Sequence, residues 1–211
     1  MCGGYYDTFK TPKQLTVVNG EAIVDRTIRL LNSHGIKNIY ISSNDKRFDN
    51  HNALRLEHEN SYKSENGILY GYWLDAFYPN FTPEIKVCFL FGDVYYTEKA
   101  IDNIVNTEVT ENTLFGSAMA KNEQHKNWGE PFAYTVVDYP AFMNGVKEVK
   151  KAFDEGKLDR HPLVWELYRY LNGLDLNVQQ VIDKTFIVID DGTTDIDAPW
   201  QEEDFNKRFS G

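Results

Sequence analysis

The sequence holds few residues of several kinds, and each scarcity excludes a class of protein. Its 211 residues include only two cysteines, Cys2 and Cys88, so a disulfide-stabilised scaffold is excluded. Lysine and arginine number 22 against 32 aspartates and glutamates, which gives a formal net charge of -10. A nucleic-acid-binding surface needs clustered lysine and arginine, and the sequence has no such run. No apolar run approaches the roughly 20 residues of a membrane-spanning helix, and no charged-then-apolar leader opens the chain. We therefore expect a soluble, cytoplasmic protein that binds neither nucleic acid nor membrane.

The length and the alternation of helix-like and strand-like segments predict an α/β fold. A chain of 211 residues is long enough for one large core, and no repeat or linker divides it. Apolar residues recur at helical spacing over 21–34, Gly35 supplies a helix end, and the β-branched run 36–43 follows as a strand. Such alternation is typical of a three-layer, mostly parallel wound sheet. We expect a single domain, 1–211, in which 114–171 forms a lid or acceptor-binding subregion.

Local patterns predict the remaining elements. A threonine cap and apolar periodicity predict a surface helix over 97–106, and the aromatic stretch 67–78 predicts a buried helix that starts near Gly71. Asn19-Gly20 is typical of a tight turn. Strands are also predicted at 85–91, 114–120, 132–137 and 186–190, and helices at 143–153, 163–171 and 199–209.

A glycine-containing loop opens the chain and leads to a lysine. Gly3 and Gly4 let a backbone pass close to a bulky ligand and point N–H groups at it, and such concavities favour phosphate. Lys13, directly after Pro12, adds a positive charge that can reach the same anion. The alternative is an ordinary tight turn that ends in a surface lysine.

Aspartates follow two predicted core strands that are far apart in the sequence. Asp93 comes after the apolar run 87–91, and Asp190, Asp191, Asp195 and Asp197 follow the last predicted strand. Carboxylates from two strands can converge on one Mg²⁺, which takes one or two of them and completes its shell with water and phosphate oxygens. The alternative for each cluster is a solvated turn.

Three segments together resemble a known enzyme family. The residues from Gly3-Gly4 through Pro-Lys-Gln-Leu to Val-Asn-Gly-Glu-Ala-Ile-Val-Asp-Arg-Thr-Ile, positions 3–28, are similar to the opening of the sugar-phosphate and alcohol-phosphate nucleotidyltransferases. Phe-Leu-Phe-Gly-Asp at 89–93 resembles their metal-binding aspartate strand, and 195–205 resembles their closing acidic segment. The middle third of the chain is unmatched.

The resemblance implies a fold, a reaction and a set of site residues. The implied fold is the Rossmann-like, GT-A type sheet of nucleotide-diphospho-sugar transferases. The implied reaction transfers a nucleoside monophosphate from an NTP to a small phosphorylated acceptor, a sugar 1-phosphate or phospho-alcohol, and releases pyrophosphate. By position, the glycines Gly3 and Gly4 line the nucleotide and Lys13 neutralises phosphate charge. Asp93 and Asp197 hold Mg²⁺, and Gly71 lies against the nucleoside.

The loop departs from the family pattern Gly-x-Gly-x-Arg. Tyr6 stands in place of the second glycine and Thr8 in place of the arginine, so a bidentate phosphate donor is lost. Either a lysine such as Lys10, Lys121 or Lys126 supplies that charge, or the chain is a catalytically silent nucleotide-binding homologue. A glycosyltransferase that uses nucleotide sugars is a further alternative, with the same sheet and metal aspartate.

Two questions stay open at this point. The strand that should feed the glycine loop falls before Met1, so we expect residues that precede it. The sequence does not distinguish a monomer from a homo-oligomer, and it identifies neither the base nor the acceptor.

Overall fold

The computed structural model describes residues 11–58, 62–65, 68–81, 86–118, 129–197 and 201–209, with side chains except at 62–65 and 68–71. The helices are α1 (Ile23–Ser33), α2 (Glu98–Asn106), α3 (Tyr139–Asp154), α4 (Val164–Leu171) and α5 (Gln201–Arg208). The strands are β1 (Val17–Val18), β2 (Glu21–Ala22), β3 (Tyr40–Ser42), β4 (Leu54–Leu56), β5 (Tyr62–Glu65), β6 (Ile68–Gly71), β7 (Val87–Leu90), β8 (Val94–Tyr95), β9 (Thr113–Gly116), β10 (Pro131–Val136), β11 (Phe186–Val188) and β12 (Thr194–Asp195).

The chain divides into two compact units, each built from separate stretches of sequence. The first unit contains Met1–Leu56, Phe91–Thr107 and Asp190–Gly211, and the second contains Glu57–Leu90 and Glu108–Ile189. Each unit therefore depends on contacts between residues that are distant in the chain.

The described residues of the first unit form three strand pairs and three α-helices. Strands β1 and β2 form an antiparallel hairpin, β3 pairs with β4 in parallel, and β8 pairs with β12 antiparallel. Its apolar cluster combines all three stretches of the chain: Val18, Ile23, Tyr95, Ile196 and Phe205 are all buried. The ring of Phe209 stacks on Tyr95 with centroids 4.2 Å apart, which attaches the end of α5 to this core.

The second unit is organised around a four-stranded mixed sheet in the order β11-β9-β10-β7. Only the β11–β9 pair within it is parallel, and β5 and β6 form a separate antiparallel pair. Aromatic side chains fill the space between the sheet and α3: the Phe89 ring stacks on Phe142 at 5.7 Å, and Tyr134 meets Phe142 edge-on at 5.1 Å. These contacts hold α3 against one face of the sheet.

The α/β class expected from the sequence is confirmed. The described residues form five α-helices, one four-stranded mixed sheet and four two-stranded sheets. The finer arrangement, a three-layer and mostly parallel wound sheet, stays a prediction. Among the described strands, parallel pairing occurs at β3–β4 and β9–β11, and the other pairs are antiparallel.

The helix expected to start near Gly71 is a wrong prediction. Gly71 ends strand β6, and a single 3₁₀ turn, Trp73–Ala76, follows it. A short aromatic run is compatible with either a strand or a buried helix, and pairing with β5 decides the matter here. Within the described part of the chain, no helix has both the length and the apolar character required to cross a bilayer.

Candidate functional site

A 3₁₀ turn and a hairpin hold Lys13 in the first unit. The turn Lys13–Leu15 closes when the Leu15 N–H donates to the Pro12 carbonyl at 2.9 Å. The hairpin of β1 and β2 turns at Asn19 and Gly20, whose φ angles of 51° and 81° are both left-handed. Such angles suit a two-residue hairpin loop, and Asn-Gly is the pair that adopts them most readily. The Lys13 carbonyl itself accepts from the Thr16 N–H at 3.0 Å, so hydrogen bonds within the turn hold the lysine backbone.

The antiparallel pairing of β8 and β12 brings the two aspartates to the same end of one ladder. Thr194 lies opposite Tyr95, and Asp195 lies opposite Val94. The ladder continues by one step, because the Ile196 N–H donates to the Asp93 carbonyl at 2.9 Å. Asp197 is the next residue along the chain, so its side chain extends from the same end of the ladder as Asp93.

Lys13 joins both carboxylates. Its Nζ lies 3.1 Å from Asp197 Oδ1 and 3.6 Å from Asp93 Oδ2. The lysine side chain is 5% exposed, whereas Asp93 is 19% exposed and Asp197 is 61% exposed. The predicted residues Lys13, Asp93 and Asp197 thus form one cluster, which we call the Lys–Asp–Asp cluster.

Burial controls the electrostatics of the Lys–Asp–Asp cluster. It raises the pKa of the Asp93 carboxyl above its ordinary value, because water solvates the charged form poorly there. The Lys13 ammonium opposes this rise, and the nearby Asp197 carboxylate adds to it. One ammonium faces two carboxylates, so the cluster carries one net negative charge when all three groups are ionised.

A close backbone approach connects the lysine turn to the aspartate strand. A Cβ atom placed on Gly92 would lie 2.8 Å from Cγ of Gln14, whose side chain is buried. Only glycine fits at this distance without movement of Gln14. The dipeptide Gly92-Asp93 therefore has two roles: the glycine lets the turn approach, and the aspartate meets Lys13.

Asp191, another of the aspartates that follow the last predicted strand, stabilises the fold through hydrogen bonds. Asp191 Oδ2 accepts from the Thr97 hydroxyl at 2.7 Å, and Asp191 Oδ1 accepts from the Thr193 N–H at 2.7 Å. Thr97 also caps α2, because its hydroxyl accepts from the Ala100 N–H at 2.9 Å. Burial alone would raise the pKa of Asp191, but these hydrogen bonds outweigh it and the net shift is downward.

The donor set of the Lys–Asp–Asp cluster suits Mg²⁺. Two carboxylates are hard oxygen donors, and Mg²⁺ commonly takes one or two from a protein together with water and phosphate oxygens. In the part of the chain that the structure describes, no group of three or more His, Cys, Asp or Glu side chains is placed to hold a metal ion. Among the described residues, Asp93 and Asp197 are thus the carboxylates that the proposed cation would use.

Three predicted nucleotide-binding residues are not part of the described cluster. Gly3 and Gly4 fall outside the described residues, as do Tyr6 and Thr8 of the same loop. Gly71 ends β6 in the second unit. Their roles stay predictions. The lysines at 10, 121 and 126, which were candidates to replace the missing loop arginine, also fall outside the described residues.

Sequence reasoning missed a buried charged group in the second unit. Glu166 and Arg169 on α4 are each 2% exposed, and Glu166 Oε1 lies 3.3 Å from Arg169 Nη1. Arg160 also contacts Glu166, with its Nε donating to Oε1 at 2.8 Å. The spacing of Glu166 and Arg169 is the available signal, since residues three apart share a helix face.

No protein-family model matches this sequence, and no curated protein matches it either.

Proposed function

We propose that this protein is a Mg²⁺-dependent nucleotidyltransferase that moves a nucleoside monophosphate from an NTP to a small phosphorylated acceptor. The observation that supports it is the Lys–Asp–Asp cluster, in which Lys13 Nζ lies within 3.6 Å of carboxylates from two other segments of the chain. These are the residues that the family resemblance assigns to phosphate and metal. A Rossmann-like, GT-A type sheet is part of the same proposal.

In the proposed reaction, an oxygen of the acceptor phosphate attacks the α-phosphorus of the NTP. The bond from that phosphorus to the bridging oxygen breaks, and pyrophosphate leaves with the electron pair. Such transfers need mainly positioning and neutralisation of charge, and no side-chain nucleophile is required. Bound Mg²⁺ would supply charge neutralisation at the phosphate oxygens.

The charge of the cluster makes the proposed dependence on Mg²⁺ a physical requirement. One ammonium and two carboxylates sum to one negative charge, which repels a triphosphate. A divalent cation on Asp93 and Asp197 reverses the sign of the whole group. We therefore expect NTP binding to be lost when the divalent cation is removed.

A panel of nucleotides tests the proposal directly. The full chain is incubated with Mg²⁺ and CTP, UTP, GTP or ATP, each with phosphocholine or one of several sugar 1-phosphates, and pyrophosphate release is measured. Release with one nucleotide and one acceptor, abolished by EDTA and restored by added Mg²⁺, is the expected result. If transfer occurs only from a preformed nucleotide sugar, the protein is a glycosyltransferase and the proposal fails.

A catalytically silent role is the second candidate, and the burial of Lys13 favours it. A lysine that is 5% exposed and ion-paired to two carboxylates is also typical of a structural contact that joins three segments of the chain. The replacement of the loop arginine by Thr8 points the same way. Calorimetry with each NTP and Mg²⁺ separates the outcomes: binding without turnover supports a silent nucleotide-binding protein, and no binding supports a purely structural cluster.

A further inference from the structure

The Lys13 ammonium faces the same two carboxylates that the proposed cation needs. Its Nζ lies 3.1 Å from Asp197 Oδ1 and 3.6 Å from Asp93 Oδ2. A divalent cation such as Mg²⁺ binds carboxylate oxygens directly, at about 2.0–2.1 Å. A cation on Asp93 and Asp197 therefore has to share both carboxylates with a positive charge that the chain itself supplies.

Packing keeps the lysine turn next to Asp93. Gln14 follows Lys13 directly, and its side chain is buried. Cγ of Gln14 would lie only 2.8 Å from a Cβ atom on Gly92, the residue that precedes Asp93. The backbone of Lys13 is thus anchored beside the aspartate strand, so the ammonium stays within reach of the Asp93 carboxylate.

The shielding of Lys13 strengthens the effect of its charge on Asp93. The lysine side chain is 5% exposed and that of Asp93 is 19% exposed, so solvent screens their interaction only weakly. Burial raises the pKa of the Asp93 carboxyl, and the field of the Lys13 ammonium is the largest effect that opposes this rise. The same field repels a second cation that approaches the Asp93 carboxylate.

Access from solvent is not the obstacle to a free cation. The Asp197 side chain is 61% exposed, so an ion or a phosphate group can reach the cluster from that side. A free cation that arrives there meets the Lys13 ammonium, which already contacts the Asp197 carboxylate. The charge of Lys13 therefore opposes a cation that the shape of the surface admits.

We propose that Lys13 is a built-in counter-ion, which keeps a free divalent cation off Asp93 and Asp197 until a triphosphate arrives with it. The ligand of the Lys–Asp–Asp cluster is then the complex of a divalent cation with a triphosphate, and neither component binds well alone. This inference rests on the proposed function, because that function identifies Asp93 and Asp197 as the cation ligands.

A triphosphate removes the conflict between the two positive charges. Its oxygens accept hydrogen bonds from an ammonium and neutralise its charge. The lysine carries that charge on a flexible four-carbon stem, so Nζ can move from the carboxylates to the phosphate while the backbone of Lys13 stays in place. The carboxylates are then left to the divalent cation. Without the cation, the same triphosphate meets two carboxylates that repel it.

Calorimetry on the full chain compares three titrants. The first is Mn²⁺ alone, which replaces Mg²⁺ as a probe because both ions prefer carboxylate oxygens. The second is inorganic tripolyphosphate without a divalent cation, and the third is the one-to-one complex of the two. We expect the wild type to bind the complex with a dissociation constant lower by about tenfold or more than that of either component.

Lys13→Met removes the ammonium and keeps an unbranched side chain. We expect the dissociation constant for Mn²⁺ alone to fall by about tenfold or more, because the competing charge is gone. The preference for the complex should be lost in the same variant, because the group that contacts the phosphate is gone. A lysine with a purely structural role would not reverse the order of the two ligands.

Two further variants serve as controls. Lys184→Met removes a lysine that pairs with Glu111 at 2.6 Å on the surface of the second unit, so it should leave all three titrations unchanged. Adding Asp197→Asn to Lys13→Met should abolish the gain in Mn²⁺ binding, which assigns that gain to the Lys–Asp–Asp cluster.

Three results overturn the proposal. The first is a wild type that binds Mn²⁺ alone as tightly as the complex, and the second is a wild type that binds neither. The third is a folded Lys13→Met protein that binds Mn²⁺ alone no more tightly than the wild type does. If that variant does not fold, the wild-type titrations still decide, because they require no substitution.

The counter-ion and the proposed transfer reaction can fail separately. The expected Mn²⁺ results in a protein that releases no pyrophosphate with any nucleotide would keep the counter-ion and reject the transferase. Pyrophosphate release by a protein whose Mn²⁺ affinity is the same with and without Lys13 would reject the counter-ion and keep the transferase.

Discussion

Lys13 Nζ lies 3.1 Å from Asp197 Oδ1, although 184 positions separate the two residues in the chain. Neither local sequence nor a shared element brings them together. The lysine comes from a 3₁₀ turn, and the aspartate follows the short strand β12, which pairs with β8. Lys13 from the beginning of the chain and Asp197 from its end therefore meet in one cluster with Asp93 from the middle.

Asp93 is expected to matter for chemistry more than for stability. Burial raises the pKa of its carboxyl, because the charged form loses hydration in the folded protein, and a neutral Asn does not carry that cost. We expect Asp93→Asn to change the free energy of unfolding by less than about 1 kcal/mol and to lower pyrophosphate release by about 100-fold or more. Urea unfolding and the nucleotide assay measure the two effects.

The control for Asp93→Asn is Asp183→Asn, which removes an exposed carboxylate in the connection between α4 and β11. It should alter neither quantity. A loss of several kcal/mol in metal-free Asp93→Asn would show that this aspartate is mainly a structural residue.

The two carboxylates are expected to couple unequally to Lys13. Asp93 lies farther away, at 3.6 Å, but it is much less exposed than Asp197, and water screens an exposed pair. Double-mutant cycles with Lys13→Met should give a coupling energy of about 1–3 kcal/mol with Asp93→Asn. With Asp197→Asn the same cycle should give about 0.2–1 kcal/mol, and that value should fall at high salt. A larger coupling to Asp197 would mean that distance, rather than burial, governs the cluster.

Gly92 is expected to tolerate no side chain. Gly92→Ala places a Cβ atom 2.8 Å from Gln14 Cγ, so we expect a loss of about 1–3 kcal/mol in the free energy of unfolding. The double variant with Gln14→Ala removes the clashing atom and should recover part of the loss. Gly192→Ala is the matched control, because its nearest neighbours are ordinary contacts at 3.5 Å. Equal effects of the two glycine substitutions would contradict the proposed close approach.

Asp191 is expected to contribute to stability at neutral pH and not in acid. Its folded pKa is depressed by the hydrogen bonds from Thr193 and Thr97, which outweigh the effect of burial. A depressed pKa stabilises the folded state at pH values above the unfolded-state pKa of about 3.9. This contribution is lost as the pH falls through the folded-state pKa. The difference in free energy of unfolding between wild type and Asp191→Asn should therefore shrink as the pH falls below about 4, towards the lowered folded-state pKa.

Urea unfolding at a series of pH values measures this difference. Asp190→Asn serves as the control, since the neighbouring Asp190 is exposed and should show little difference from wild type at any pH. A difference between wild type and Asp191→Asn that stays constant with pH would assign the effect to shape and not to charge.

Local sequence signals predicted local structure well in several places. Asn19-Gly20 forms the expected turn, Thr97 caps α2 as expected, and Gly35 ends α1 with a φ of 80°. Each of these depends on hydrogen bonds or dihedral angles within a few residues. The failure near Gly71 has the complementary cause, because only pairing with a neighbouring strand distinguishes a short aromatic strand from a helix.

The sequence by itself determined the α/β class, the turn and cap residues, and the identity of the three residues that form the Lys–Asp–Asp cluster. It did so because residue type limits both backbone geometry and chemistry. Tertiary structure alone decided that Lys13 contacts both Asp93 and Asp197. It also decided that Gln14 lies close to Gly92, and that two buried nitrogens of Arg169 have no hydrogen-bond partner among the described residues. Those facts follow from strand register and helix packing, which bring together residues that local sequence cannot relate.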